Sequence, residues 1–258
     1  MRRGRFALAA FAFSLTLPAL AETPASALPE TGRARVQTVQ DGATLTLDDG
    51  RTVRLAGILA PLPPLGRPPD DWPLVRQARE ALATAAEGKA AVLRGPTDLD
   101  RYGRVITQVE IADGDWLEGV MLTAGLARVE TTPQHRELAR EMLALEAAAR
   151  DARLGLWASP YYAVRMPEDL AKSSGSFELV EGRLAASDLR RTTLWLDFPG
   201  SASAVRLDKP ARALFGTQDP TKLVGKRVRV RGWVTWLGRP VIDVTHPEQI
   251  ESLDPPAG

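Results

Sequence analysis

Residues 40–61 read QDGATLTLDDGRTVRLAGILAP, and the alternation inside this stretch decides how the chain begins to fold. Leu45 and Leu47 alternate with Thr44 and Thr46, an Asp-Gly turn follows, and Val53 and Leu55 then alternate with Thr52 and Arg54. Alternation of period two on both sides of a DG dipeptide specifies two half-buried strands joined as a hairpin. With RARVQTVQ at 33–40 just before it, the stretch predicts a three-stranded antiparallel meander. Arg54 points away from Val53 and Leu55, and no acidic residue stands beside it on its own strand.

Downstream, PLPPLGRPPDDW at 61–72 is a stiff loop, because its prolines withhold backbone donors and hold extended geometry. A helix is expected over 73–87, strands over 89–95 and 101–111, a short helix over 116–125 closed by Gly125, and a long helix over 133–155 ending at Gly155. On that last helix Leu138, Met142, Leu145 and Ala149 fall on one stripe, which is expected to cover an end of the strand barrel. Asp100 is placed to accept turn amides, with Tyr102 packed on the turn.

The ends behave differently. Arg2, Arg3 and Arg5 precede the apolar run FALAAFAFSLTL, and the small residues ALA follow at 19–21, the pattern of a cleaved secretory leader over residues 1–21. The apolar run is shorter than the ~20 residues a bilayer span needs. Its removal takes the net charge from +1 to −2, so the mature chain is not a general polyanion binder. A periplasmic or secreted location follows as an expectation, with no membrane span left after processing. Residues 22–32 read as disordered. The absence of cysteine among 258 residues excludes disulfide and thiolate chemistry.

A linker is expected at 166–175 (MPEDLAKSSG), then a second β unit over 176–253 and a tail over 254–258. Five short strands with one helix after Pro210 suggest a second small barrel of the oligonucleotide-binding Greek-key type, with a three-plus-two sandwich as the alternative. In KRVRVRG at 226–232, Arg227, Arg229 and Arg231 share one face, with Lys226 at the turn and Trp233 continuing the row. An arginine row beside an indole can grip a polyanion; the alternative is an outer strand whose arginines pair with nearby Glu and Asp. His135 and His246 have no partners at metal-site spacing and read as surface residues.

Several of these pieces, taken in order, resemble the thermonuclease, or staphylococcal nuclease-like, family. The resemblance runs over about 34–157, through VQDGATLTL, RTVRLAGILAP, the DRYGR segment at 100–104, and the GLA and GLW pairs at 125–127 and 155–157. It implies a five-stranded oligonucleotide-binding-type barrel with three helices over residues 33–165. It also implies a site in which a calcium ion is held by acids, a glutamate activates water, and two arginines clamp phosphate. Arg54 and Arg104 match the arginines. The family pattern DGDT is DGAT here, and its DxPE is LAPL, so Ala43, Leu59 and Leu62 stand at the acidic positions.

Calcium takes six to eight oxygen ligands, and these side chains supply none. Losing a single transition-state donor already costs about 3 kcal/mol. Asp41, Asp70 and Asp71 are the only substitutes in reach of the sequence argument. The reading is therefore an exported protein without efficient nuclease activity that binds nucleic acid or a protein or envelope partner. No cofactor is implied. The alternative is a Ca²⁺-dependent endonuclease with replacement ligands.

Overall fold

A computed structural model describes residues 22–63, 68, 72–112 and 114–254. The leader at 1–21, Asp70 and Asp71, and the tail beyond 254 lie outside the described residues. The first unit runs through β1 (Glu30–Asp41), β2 (Thr44–Leu47), β3 (Thr52–Leu55), β4 (Ile58–Leu59), α1 (Val75–Ala86), β5 (Ala90–Leu99) and β6 (Val105–Ile111). It closes with α2 (Leu117–Thr123), β7 (Arg128–Val129) and α3 (Ala139–Asp151). The expected meander is present: β1, β2 and β3 pair antiparallel. β3 then pairs parallel with β6, β6 pairs with β5, and β5 returns to β1, closing a five-stranded barrel.

Its core gathers the inward leucines and valines of the opening stretch, Leu45, Leu47, Val53 and Leu55, with Leu82 of α1, Met121 of α2, and Leu138 and Met142 at α3. The last helix is shorter than its composition suggests, because Thr132 Oγ1 accepts the His135 amide and residues 132 and 135 form an isolated bridge. Gly125 and Gly155 are both left-handed, at φ 66° and 50°. Each backbone lies so close to the other's segment that a Cβ on Gly125 would sit 2.4 Å from the Leu154 carbonyl oxygen. Glycine alone permits both the angle and the contact.

Two segments expected to be loose are packed instead. Thr23 and Ser26 cap a 3-10 turn, and both hydroxyls donate to Glu110 Oε1, at 2.6 and 2.5 Å, while Ala25 enters the barrel core. The 166–175 segment forms a 3-10 turn whose Leu170 is fully buried in the second core. The Ser203 hydroxyl donates to the Pro167 carbonyl.

The second unit comprises β8 (Phe177–Arg183), β9 (Ala186–Arg190), β10 (Thr193–Asp197), β11 (Ala204–Leu207), α4 (Lys209–Leu214), β12 (Arg227–Trp236), β13 (Pro240–Asp243) and β14 (Ile250–Ser252). The expectation of a second barrel is overturned here. The strands form an open seven-stranded sheet in the order β14-β12-β13-β11-β10-β9, with β8 pairing to β12. Physically, β12 is long enough to serve three partners: β8 along Arg227–Trp233, β14 along Val228–Val230 and β13 along Val234–Trp236. β9 pairs with β10 and leaves the far edge of the sheet unclosed. The helix after β11 forms as expected, with the Asp208 carboxylate accepting the Ala211 amide and Pro210 in the first turn.

Candidate functional site

On the barrel wall, Arg54 lies opposite Ile106 of the neighbouring parallel strand, and Arg104 lies two residues before Ile106. The register sets Arg54 beside the start of β6, just after Arg104. Each guanidinium nevertheless already has a carboxylate. Arg104 Nε donates to Asp100 Oδ2 at 2.7 Å, and Asp100 Oδ1 accepts the amides of Tyr102 and Arg104. Partial burial opposes ionisation of Asp100, but these amides and the Arg104 guanidinium outweigh it and hold the carboxyl below its ordinary range. Tyr102 is an exposed ring with Arg104 5.3 Å and Arg101 4.8 Å from its centroid.

Arg54 Nη2 donates to Glu130 Oε2 at 3.2 Å. Glu130 comes from the residue after β7, pinned by its amide donating to the Gly57 carbonyl. The other oxygen of Glu130 accepts the Trp233 indole N–H at 2.7 Å, from the second unit. Burial pushes the Glu130 carboxyl up from its usual range, against the stabilising effect of Trp233 and Arg54. The acid missing beside Arg54 in its own strand is thus supplied 76 residues later.

The three positions that carry acids in the resemblance sit in different surroundings. Ala43 is buried, its carbonyl accepting the Leu55 amide, and Asp41 caps the same turn by accepting the Ala43 amide. Leu59 packs in a cluster with Phe177 and Leu179 of β8, flanked by Trp157 and Val164. Leu62 is half-exposed. Among the described residues no three His, Asp or Glu side chains are grouped to hold a metal ion.

Residues 52–159 match the family model described as staphylococcal nuclease homologue. These residues form a staphylococcal-nuclease-like domain. No curated protein matches the chain. The match begins at β3 and ends beyond α3, so the second unit lies outside it.

The second unit meets this nuclease-like domain at the inner end of the arginine row. Arg231, 1% exposed, reaches Glu146 of α3 at 2.8 Å and Glu251 of β14 at 2.5 Å. Burial works against its charge, yet the two carboxylates more than reverse that and hold the guanidinium ionised. Arg229 pairs with Glu181 and Glu251, and Arg227 with Glu181. Arg150 of α3 extends the alternation on the other side of Glu146. Lys226 stays exposed, and Trp233 is half-exposed with its indole edge-on to Phe177. Of the two sequence readings of this strand, the geometry is that of arginines paired with nearby acids.

Both histidines are buried rather than at the surface. His246 Nε2 is 2.8 Å from Thr131 Oγ1 of the nuclease-like domain, and its Nδ1 is 2.9 Å from Thr245 Oγ1. Burial pulls its pKa down to about 4. His135 lies 3.1 Å from Asp98. Arg136 and Glu248 bridge the two units beside His246.

Neither Glu130 nor Glu146 belongs to a motif of the sequence, and His246 reads there as a surface residue. A signal for Glu146 was present: it falls four residues after Met142 and three before Ala149, on the apolar stripe itself. An acid on such a stripe calls for a buried cation or amide donors, and Glu146 has both.

Proposed function

We propose that this protein is an exported, non-hydrolytic member of the staphylococcal-nuclease-like fold that acts by binding a protein or envelope partner. One observation carries the reading. At the family's second metal position, Leu59 is covered by Phe177 and Leu179 of the second unit, while the first phosphate arginine, Arg54, is held by Glu130. A phosphodiester hydrolase of this kind needs an open, oxygen-lined approach to its arginines. Here the same ground is used to join two units. Nucleic acid is disfavoured as the partner because Arg104, Arg227, Arg229 and Arg231 each have a carboxylate within 3.5 Å. Export rests on the leader pattern of residues 1–21. Among the described residues no helix is long and apolar enough to cross a membrane.

The test uses the chain from residue 22 with single- and double-stranded DNA and RNA, with and without Ca²⁺. Cleavage and binding are followed across a salt series. The expected result is no Ca²⁺-dependent cleavage and no binding that weakens steeply with salt. Metal-dependent cutting that Arg54→Ala abolishes overturns the reading. N-terminal sequencing of the exported protein is expected to begin at Glu22.

A further inference from the structure

The open sheet of the second unit ends in a strand whose side chains are self-complementary. All five residues of β9, Ala186 to Arg190, are exposed, and among the described residues the strand pairs with β10 alone. Its outer edge carries backbone donors and acceptors with no strand beside them, which is the template on which another extended chain adds. Leu189 lies opposite the buried core residue Leu194 but is itself 54% exposed, so the hydrophobic layer runs out at this edge. On the opposite face, Asp188 and Arg190 flank Trp195, with Arg190 Nε 2.7 Å from Asp188 Oδ2 and its guanidinium carbon 5.9 Å from the indole centroid.

We propose that β9 is a homodimer edge: a second copy of the chain pairs with it antiparallel about a two-fold axis through Leu189. Registers are sharply limited. Shifting by one residue would set the core face of one copy against the outer face of the other, so only registers in which residues of like face meet are allowed. An axis through Asp188 sets Asp188 against Asp188. An axis through Arg190 sets Arg190 against Arg190. The axis through Leu189 instead sets Asp188 of each copy opposite Arg190 of the other. It brings the two exposed leucines together and continues the core layer across the boundary. Ser187 then faces Arg191, the residue in the hairpin turn that adopts φ 57°. The charges form a two-by-two checkerboard in which the existing Asp188–Arg190 contact within each strand is kept. Opposed charges directly across antiparallel strands favour pairing, and like charges disfavour it. A closed two-fold arrangement also removes the exposed edge from further addition.

Sedimentation velocity on the chain from residue 22, over a concentration series reaching about 1 mM, reads the proposal out, since a short edge contact is in the weak range of affinity. Wild type is expected to dimerise within this range. Asp188→Arg and Arg190→Asp each put like charges opposite one another at both symmetric pairs, and each is expected to weaken the dimer about tenfold or more. Mixed together, the two variants set the new arginine of one copy against the new aspartate of the other, while native Arg190 faces native Asp188. Association is expected to return in the mixture alone. Circular dichroism confirms that each variant is folded, as befits exposed positions. Wild type that stays monomeric throughout overturns the proposal, and so does a dimer indifferent to both single substitutions or not restored by mixing.

Discussion

Replacing Arg231 by methionine removes the one guanidinium that joins Glu146 of the nuclease-like domain to Glu251 of the second unit. The two carboxylates fare differently. Glu251 stays partly exposed and keeps Arg229 at 3.5 Å. Glu146 is fully buried and is left with the Val129 amide at 2.8 Å and Arg150 at 3.4 Å. Stranding one member of a buried ion pair costs about 3–5 kcal/mol, and the two donors that remain on Glu146 place this case near 3 kcal/mol. For a chain of this size that corresponds to a fall in Tm of about 6–12 °C. Thermal unfolding followed by far-ultraviolet circular dichroism and by tryptophan fluorescence measures it. The decisive comparison is Arg231→Met with Glu146→Gln. Removing the stranded charge should make the double variant more stable than Arg231→Met alone, a coupling that additive behaviour would not give. A single variant within about 1 kcal/mol of wild type, or strict additivity in the pair, refutes the claim that this contact locks the units together.

His246 has a folded pKa of about 4 against an ordinary value of 6.5, so unfolding takes up a proton between those limits and stability falls as pH drops from 6.5 to 4, by up to about 1.4 kcal/mol per unit. Chemical denaturation across that window should show a slope that His246→Gln lacks, with Thr131, Thr245 and the Arg136–Glu248 pair unchanged around it. Glu118 gives the opposite dependence: burial lifts its carboxyl to about 8 while its oxygens accept the Val109 amide, so stability declines as pH rises from 4.5 to 8. Glu118→Gln should flatten that decline in the same titration and be more stable than wild type at pH 9. Restoring acids at the family positions should separate by burial: Leu59→Asp costs about 3 kcal/mol or more because the carboxylate is set under Phe177 and Leu179, whereas Leu62→Glu at a half-exposed site stays within about 0.5 kcal/mol, both read by urea denaturation.

Local pattern was enough for the nuclease-like barrel. The alternation of Leu45, Leu47, Val53 and Leu55 puts those side chains inside, and the Gly125 and Gly155 motifs mark a backbone contact that only glycine allows. Ala43, Leu59 and Leu62, at the positions that are acidic in the resemblance, could be read as single positions within a motif. What failed depends on contacts far apart in sequence. Strand count and spacing suggested closure of the second unit, but closure is decided by whether another strand of the same chain reaches the free side of β9, and none does among the described residues. The two readings of Arg227, Arg229 and Arg231 stayed open in the sequence because Glu146, Glu181 and Glu251 come from three other elements. His246 misled for a related reason: it packs against Thr131 of the other unit, a contact far away in sequence.

In the proposed reading, leucine at position 59 and the cover formed by the second unit belong together. An aspartate at position 59 would lie beneath Phe177 and Leu179, where an ionised carboxylate without a metal or a paired cation costs several kcal/mol. Arg54, freed from a metal-bound phosphate, would be a partly buried cation in need of a counter-charge. Glu130 supplies it and in the same step accepts the Trp233 indole of the second unit. Leucine at 59 and glutamate at 130 are each required by the cover that the second unit forms, and neither suits an open hydrolytic cleft. It follows that deleting residues 166–258 should not uncover a latent nuclease. It would expose Leu59 to water and strip Glu146 of Arg231, so the truncated domain should be less stable than the whole chain and still inert toward DNA in Ca²⁺.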